Sequence, residues 1–280
     1  MSLPQKVAVF GGGRMGAGIA HAFLLCGTEV TVVEVSAPAA AAAEARVAGS
    51  LKQAESRGRL SEPARRVHDR LVVTTDPADL AGAALVIEAV PEDAGLKGTV
   101  LALVEAAAPE AVLATNTSSL SVDALAAGLA RPERFLGLHF FNPVPASGLV
   151  EIVNGARTAP QVLDQAQKWV TSLGKNAITV TDSPGFASSR LGLALALEAM
   201  RMLESEVASA EDIDTAMTLG YKHPLGPLRT TDVVGLDVRL AIAEHLAAEL
   251  GPRFEPPAIL REKVAAGQLG RKSGQGFYRW

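Results

Sequence analysis

The sequence predicts an α/β domain built on a parallel sheet, followed by an all-α domain. Three observations carry that expectation. The opening segment reads strand, glycine turn, helix, strand; apolar runs and helical stretches go on alternating to about residue 180; and beyond Asp182-Ser183-Pro184-Gly185 only helical patterns remain. Val7 to Phe10 is a short apolar run ending in glycines, as a buried strand does. Met15 to Cys26 spaces its apolar residues for a helix that Gly27 stops, and Val30 to Val33 forms a second buried strand. Such a unit is right-handed and implies parallel pairing. Ala39 to Arg57 has helical composition with Ser36 as a cap near its start, and Arg57, Arg59, Arg65, Arg66 and Arg70 make the next stretch basic. Further strands are expected at 71–73, 85–90, 112–114, 135–138 and 177–180, with helices over 92–108 and 161–173. After the boundary, helices are expected over 191–207, 210–219 (Ser209 as cap), 236–250 and 257–266. The expected domains are therefore residues 1–182 and 183–280.

Bulk properties narrow the classes. A chain of 280 residues accommodates one large or two ordinary domains. With 48% hydrophobic and 20% charged residues it is a folded chain rather than a disordered one, and with 4% aromatics its core must come from Ala, Val and Leu. A net charge of -4 gives no general attraction for nucleic acid or an anionic membrane, so a phosphorylated ligand has to be met by local groups. Cys26 is the single cysteine, which excludes an intrachain disulfide and suits a reducing compartment. No apolar run approaches the ~20 residues of a membrane span. The expectation is a cytoplasmic protein with no metal site.

Gly11-Gly12-Gly13-Arg14-Met15-Gly16 satisfies G-x-G-x-x-G. Three features of its context strengthen the match: the glycines follow a strand, they open a helix, and Glu34 ends the next strand about 20 residues on. Gly11 turns the chain, Gly13 lets the backbone approach a pyrophosphate, and Gly16 allows close packing of helix on sheet. The pyrophosphate is expected at the helix N-terminus, where free N–H groups favour negative charge. Glu34 suits the adenosine ribose hydroxyls and would repel a 2′-phosphate, which favours NAD over NADP. The same fingerprint binds FAD, but little else in the chain argues for a flavin. The first domain is thus expected to be of the Rossmann type.

Of five histidines, only His139 ends an apolar strand-like run, in FLGLHFFNPVP. The carboxyl ends of strands in an open α/β sheet face the ligand crevice. Glu151 follows 12 residues later at the start of the run LVEIV. An imidazole moves protons near neutral pH, and a carboxylate fixes its tautomer and steadies its cation. Spacing alone leaves His139 either a proton-transfer group or a structural histidine, and Glu151 either its partner or a solvated carboxylate.

Other motifs extend along the chain. GGGRMGAGIA is followed by IEAVPED with Lys97, TNTSSL, HFFNPVP, LVEIV and DSPGF, then by EDIDTAMTLGY, HPLGP, VGLDV and GRKSGQGFY. In this order, over almost the full length, the sequence resembles the L-3-hydroxyacyl-CoA dehydrogenase family, and particularly its short bacterial 3-hydroxybutyryl-CoA dehydrogenase branch. The resemblance implies NAD-dependent oxidation of a 3-hydroxyacyl thioester. It makes His139 the general base, Glu151 its orienting partner and Ser118 the hydrogen-bond donor to the substrate oxygen. Gly11, Gly13, Met15 and Gly16 belong to the nucleotide loop, and Glu92, Lys97, Asn116 and Asn142 lie around the nicotinamide ribose or ring. Lys272 would approach NAD from the second domain. Ser50 and Arg57 stand where the family places a serine and a lysine against coenzyme A; as bare residues they equally read as a solvated basic helix face. The resemblance also implies a homodimer formed through the helical domain.

One departure stands out. The family motif P-G-F-x-x-N-R reads here Pro184-Gly185-Phe186-Ala187-Ser188-Ser189-Arg190, so Ser189 occupies the asparagine position. A hydroxyl still donates one hydrogen bond but is shorter than an amide, and a water can bridge the gap. Activity is expected to survive. Two other readings stay open at this point. One is a related dehydrogenase acting on 3-hydroxyadipyl-CoA or a free hydroxy or sugar acid, for whose carboxylate Arg190 or Arg229 could be proposed. The other is a non-catalytic NAD-binding protein.

Overall fold

In the computed structural model, which describes residues 3–280, the apolar runs form β1 (Lys6–Phe10), β2 (Glu29–Val33), β3 (Leu71–Thr74), β4 (Leu85–Glu88), β5 (Val112–Thr115), β6 (Phe135–Phe140), β7 (Leu149–Asn154) and β8 (Asn176–Thr181). They make one sheet in the order β3-β2-β1-β4-β5-β6-β7-β8. Between its strands lie α1 (Arg14–Leu25), α2 (Ala37–Ser56), α3 (Ala64–His68), α4 (Ala94–Ala107), α5 (Val122–Ala126) and α6 (Pro160–Ser172). The first six strands pair in parallel and have the 3-2-1-4-5-6 order of the dinucleotide-binding fold. Every residue of β4 and β5 is buried, because central parallel strands are covered on both faces. The core beneath α1 is built from aliphatic side chains such as Val7, Val9, Ile19, Leu24, Val32 and Ile87, with Phe23 among its few rings.

The sheet is not parallel throughout, as the sequence had suggested. β7 pairs with β6 in the antiparallel sense, and β8 returns parallel to β7. The cause is the length of the connection. Residues 141–148 are too few for the crossover of a dozen or more residues that parallel neighbours need. Local capping sets the helix starts: Ser36 accepts from the amide of Ala39, Asp93 from that of Leu96, and Ser121 from that of Ala124. The short helices α3 and α5 carry too little periodicity to be read from the sequence.

The chain divides between Asp182 and Ser183 into two units. The second contains α7 (Ser188–Glu204), α8 (Ala210–Thr215), α9 (Pro227–Val234), α10 (Leu236–Leu250) and α11 (Ala258–Ala265). The expected single helix over 210–219 is instead α8, capped by Ser209, continued by a π-turn over Ala216–Gly220. Leu193, Leu197, Met200, Ile213, Leu228, Leu236, Leu246 and Leu260 form its core. Among the described residues no helix is long and apolar enough to cross a membrane, and no group of three or more His, Cys, Asp and Glu could hold a metal ion.

The tail motif GRKSGQGFY is fastened to this unit by a buried carboxylate. Asp232 accepts hydrogen bonds from Phe277 N (2.8 Å), Tyr278 N (2.9 Å) and Trp280 Nε1 (2.8 Å). The backbone comes so close that a Cβ at Gly276 would stand 2.1 Å from Asp232 Oδ1 and one at Gly270 2.3 Å from Asp232 O, which explains both glycines. Asp214 accepts from Leu228 N and Arg229 N, and the Tyr278 hydroxyl lies 2.8 Å from its Oδ2. The Arg229 guanidinium stacks 4.1 Å from the Tyr278 ring centroid. Replacing Asp232 by Ala leaves three donors without their acceptor. The Asp232→Ala variant is expected to lose on the order of 3 kcal/mol, read as a lowered urea midpoint; an unchanged midpoint would refute the role assigned to this carboxylate.

Candidate active site

The carboxyl ends of β1, β2, β4, β5 and β6 lie along one edge of the sheet, and the strand order reverses direction between β1 and β4. A ligand crevice is expected outside that switch point. Gly11 occupies it with φ +97°, and a Cβ there would stand 2.9 Å from Ala89 O at the end of β4. A Cβ at Gly16 would stand 1.8 Å from Gly11 O, so helix and turn can close only on a glycine. At Gly13 a Cβ would meet nothing within 4 Å, which leaves that side of the loop open. No side chain caps α1 and no acidic residue sits in its first turn. The first-turn amides and the open face therefore fit an anionic dinucleotide. Met15, in the same turn, packs against the core.

Glu34 stands at the end of β2, where its Oε1 accepts from Gly12 N (2.7 Å) and its Oε2 from Val35 N (3.2 Å). Its carboxylate is thereby oriented before any ribose arrives. Gly12, given no task in the sequence reading, is needed too: a Cβ there would stand 2.3 Å from Ala43 Cβ. Arg46 of α2 donates to Gly12 O (3.2 Å), a second contact that spacing could not reveal.

Lys97 does not lie at the surface. It and Glu88 are each 1% exposed, and its Nζ donates to Glu88 Oε1 (2.7 Å) and Val90 O (3.2 Å) and pairs with Glu92 Oε2 (3.3 Å). Thr115 donates to the other oxygen of Glu88 (2.6 Å). Glu92 in turn gathers the loop after β5, accepting from Thr117 Oγ1 (2.6 Å), Ser118 N (2.8 Å) and Ser119 N (3.0 Å), with Ser118 Oγ at 3.3 Å. Ser118 thus owes its position to Glu92, and Glu92 owes its position to Lys97. Glu88 and Thr115 were missed in the sequence because each looks like an ordinary strand-end residue.

His139 and Glu151 are direct register partners across the β6–β7 pair. His139 Nδ1 lies 2.7 Å from Glu151 Oε2, with the histidine 7% and the glutamate 0% exposed. The Phe141 ring packs 4.5 Å from the imidazole. Asn116, at the end of β5, accepts from Phe140 N (2.9 Å) and ties the two strand ends together beside the histidine. Asn142 begins the following loop with a cis peptide to Pro143. Lys175 anchors that loop by donating to Val144 O (2.7 Å) and Ser147 O (2.6 Å).

Asn142 also lines a cavity of about 430 Å³ together with Ser50, Arg57, Arg14, Arg46 and Arg59. Ser50 and Arg57 are therefore near one another on one concave wall, where Arg59 of the basic stretch and, unforeseen in the sequence, Arg14 and Arg46 add charge. His21 shares this wall; burial first, and Lys175 second, push its pKa down to about 4, so it is neutral at physiological pH. In the second unit Ser189 occupies the first turn of α7, and Lys272 Nζ pairs with Asp237 Oδ2 at 2.6 Å.

A dinucleotide loop at the switch point and a buried histidine–carboxylate pair on the same sheet edge define a nicotinamide-dependent dehydrogenase. Residues 6–183 match the family model for the 3-hydroxyacyl-CoA dehydrogenase NAD-binding domain, and residues 185–280 match that for its C-terminal domain. The chain is 42% identical over 281 residues to a 3-hydroxybutyryl-CoA dehydrogenase of Mycobacterium tuberculosis, covering 99% of this chain and 98% of that protein. It is 41% identical to a 3-hydroxyadipyl-CoA dehydrogenase of Escherichia coli, covering 99% of this chain and 59% of that one. The crystal structure of (S)-3-hydroxybutyryl-CoA dehydrogenase PaaH1 from Ralstonia eutropha superposes with a TM-score of 0.94 at 39% identity, covering 99% of each chain. This chain belongs to the 3-hydroxyacyl-CoA dehydrogenase family, and its cofactor is NAD.

The Glu92 network makes a prediction about pH. Partial burial raises the pKa of Glu92, but the Thr117 hydroxyl, Lys97, the Ser118 amide and Ser119 outweigh it and hold the carboxyl below its ordinary value of 4.5. A carboxyl depressed in the folded state contributes stability above that ordinary value and loses it as pH falls through the folded pKa. Thermal unfolding of Glu92→Gln is expected to lose less stability than wild type as pH falls below about 4.5. Parallel acid limbs for the two proteins would count against the network.

Proposed function

We propose that this enzyme oxidises (3S)-3-hydroxybutyryl-CoA to acetoacetyl-CoA and catalyses the reverse reduction. The observation that carries the proposal is the 2.7 Å contact between His139 Nδ1 and the fully buried Glu151. With its hydrogen on Nδ1 directed at the carboxylate, the imidazole keeps its lone pair on Nε2. That atom takes the 3-hydroxyl proton, and Glu151 stabilises the resulting imidazolium. When NAD is bound, it supplies the hydride acceptor for the hydrogen on C3. In reduction the histidinium returns the proton to the carbonyl oxygen. Ser118 donates to that oxygen, and Glu92 and Lys97 hold the serine loop in place. Asn116 and Asn142 border the nicotinamide.

The arginine-lined cavity suits the phosphates of coenzyme A, with Ser50 and Arg57 as its first contacts. A net charge of -4 makes this local concentration of cations meaningful. We also infer a homodimer formed through the helical unit, whose exposed apolar residues include Leu191, Val207 and Leu219. A cytoplasmic location agrees with the single cysteine.

Reduced nicotinamide should lose its absorbance when acetoacetyl-CoA is added. His139→Gln and Glu151→Gln are each expected to lower kcat by roughly 100- to 10,000-fold. Wild-type turnover in either variant would sink the proposed mechanism. Arg57→Glu is expected to raise KM for acetoacetyl-CoA on the order of tenfold while KM for NADH stays put. Equal changes in both constants would remove Arg57 from the coenzyme A contacts.

A further inference from the structure

The cavity that holds Ser50 and Arg57 is built from one face of each of two helices. On α2, Arg46, Ser50 and Arg57 recur at the spacing of one helix face, and on α1 Arg14, Gly18 and His21 do so. The loop after β6 closes the cavity, and a Cβ at Gly18 would stand 3.0 Å from Val144 Cβ, so helix and loop meet closely there. Four arginines and no carboxylate line it. Among the described residues none of the four makes an ion pair. In a chain of net charge -4, cations gathered in this way and left unpaired call for an anion.

One of the four has a second engagement. Arg46 gives one Nη hydrogen to Gly12 O (3.2 Å), and among the described residues its guanidinium has no other hydrogen bond. Gly12 N in turn donates to Glu34 Oε1 (2.7 Å). The Gly12 peptide is therefore held at one end by the carboxylate assigned to the adenosine ribose and at the other by an arginine of the cavity wall. Arg14 belongs to the same junction. It opens α1, whose first-turn amides suit a pyrophosphate, and it also lines the cavity. A guanidinium that uses one hydrogen on a carbonyl keeps the rest of its fork for a phosphate.

We propose that Arg46 serves both nucleotides at once. It meets a phosphate of coenzyme A while it holds the Gly12 carbonyl, so that NAD and coenzyme A each bind more tightly in the other's presence. The proposal rests on the coenzyme A reading of the cavity given above. Its physical basis is ordering and screening. Arg46 is a long, exposed side chain, and fixing it against Gly12 costs rotamer freedom. A phosphate that has already fixed it removes that cost for the dinucleotide. The cation shared by two sets of phosphates also offsets the repulsion between them. Linkage makes the effect mutual.

The test measures Kd for NADH from its fluorescence, with and without saturating free coenzyme A, in wild type, Arg46→Met and Arg46→Lys. In wild type coenzyme A should lower the Kd for NADH on the order of fivefold. Its nucleotide half alone, 3′-phospho-ADP, should do the same. Arg46→Met should bring the ratio of the two Kd values to about one. Arg46→Lys keeps the charge but has no fork to bridge carbonyl and phosphate, so it should lose most of the effect as well. Taking the ratio within one preparation cancels any change in folded fraction or in NADH affinity itself. A wild-type Kd that coenzyme A leaves unchanged overturns the proposal, as does a wild-type ratio retained in Arg46→Met. An effect given by coenzyme A but not by 3′-phospho-ADP overturns it too, since the coupling would then run through the pantetheine arm. Titration calorimetry of coenzyme A into the wild-type enzyme separates the two readings: no binding there overturns the assignment of the cavity itself.

Discussion

The pairing of β7 against β6 is the constraint from which the chemistry follows. Side chains alternate along a strand, so only a register that sets residue 139 opposite residue 151 brings imidazole and carboxylate to the same face. A slip of one residue would carry Glu151 to the opposite face and leave His139 without it. The register is secured on several sides: β7 is held by β8 over its whole length, the loop between β6 and β7 is tied down by Lys175, and Asn116 fixes the end of β6 to β5. The reversal of strand direction is what makes the pair local. Both residues lie at one edge of the sheet, where the glycine turn also lies.

A second organising element is the chain of charges from Glu88 through Lys97 to Glu92. Burying one ion is expensive and burying a hydrogen-bonded set is tolerable. Here Lys97 is met by two carboxylates and a carbonyl, and Glu88 by a lysine, a threonine and its own loop amide. The set converts three flexible side chains into a rigid brace beneath the serine loop. Ser118 gains its orientation from this brace, through its amide as well as its hydroxyl.

Much of this was legible in the sequence, and what was hidden was hidden for physical reasons. The glycine turn, Glu34, the run ending at His139 and the change of character near residue 183 all show as patterns a few residues long. The antiparallel turn at β7 was not visible, because strand direction depends on connection length and not on the strand's own residues. Lys97 is named in the sequence only through the family resemblance, and Glu88 passes as a strand-end charge until the fold sets the two together. Gly12 and Arg46 owe their roles to α2, which is distant in sequence.

The tail fastening at Asp232 has a practical consequence. The chain contains two tryptophans, and each unit holds one: Trp169 on α6 beside the sheet and Trp280 with its indole N–H on Asp232. Arg229 and Arg271 lie 5.7 and 5.8 Å from the Trp280 ring, so its emission senses charge that Trp169 does not meet in the same way. Intrinsic fluorescence thus carries one reporter for the sheet and another for the helices, and a protein left with either indole alone lets the melting of the two halves be followed separately.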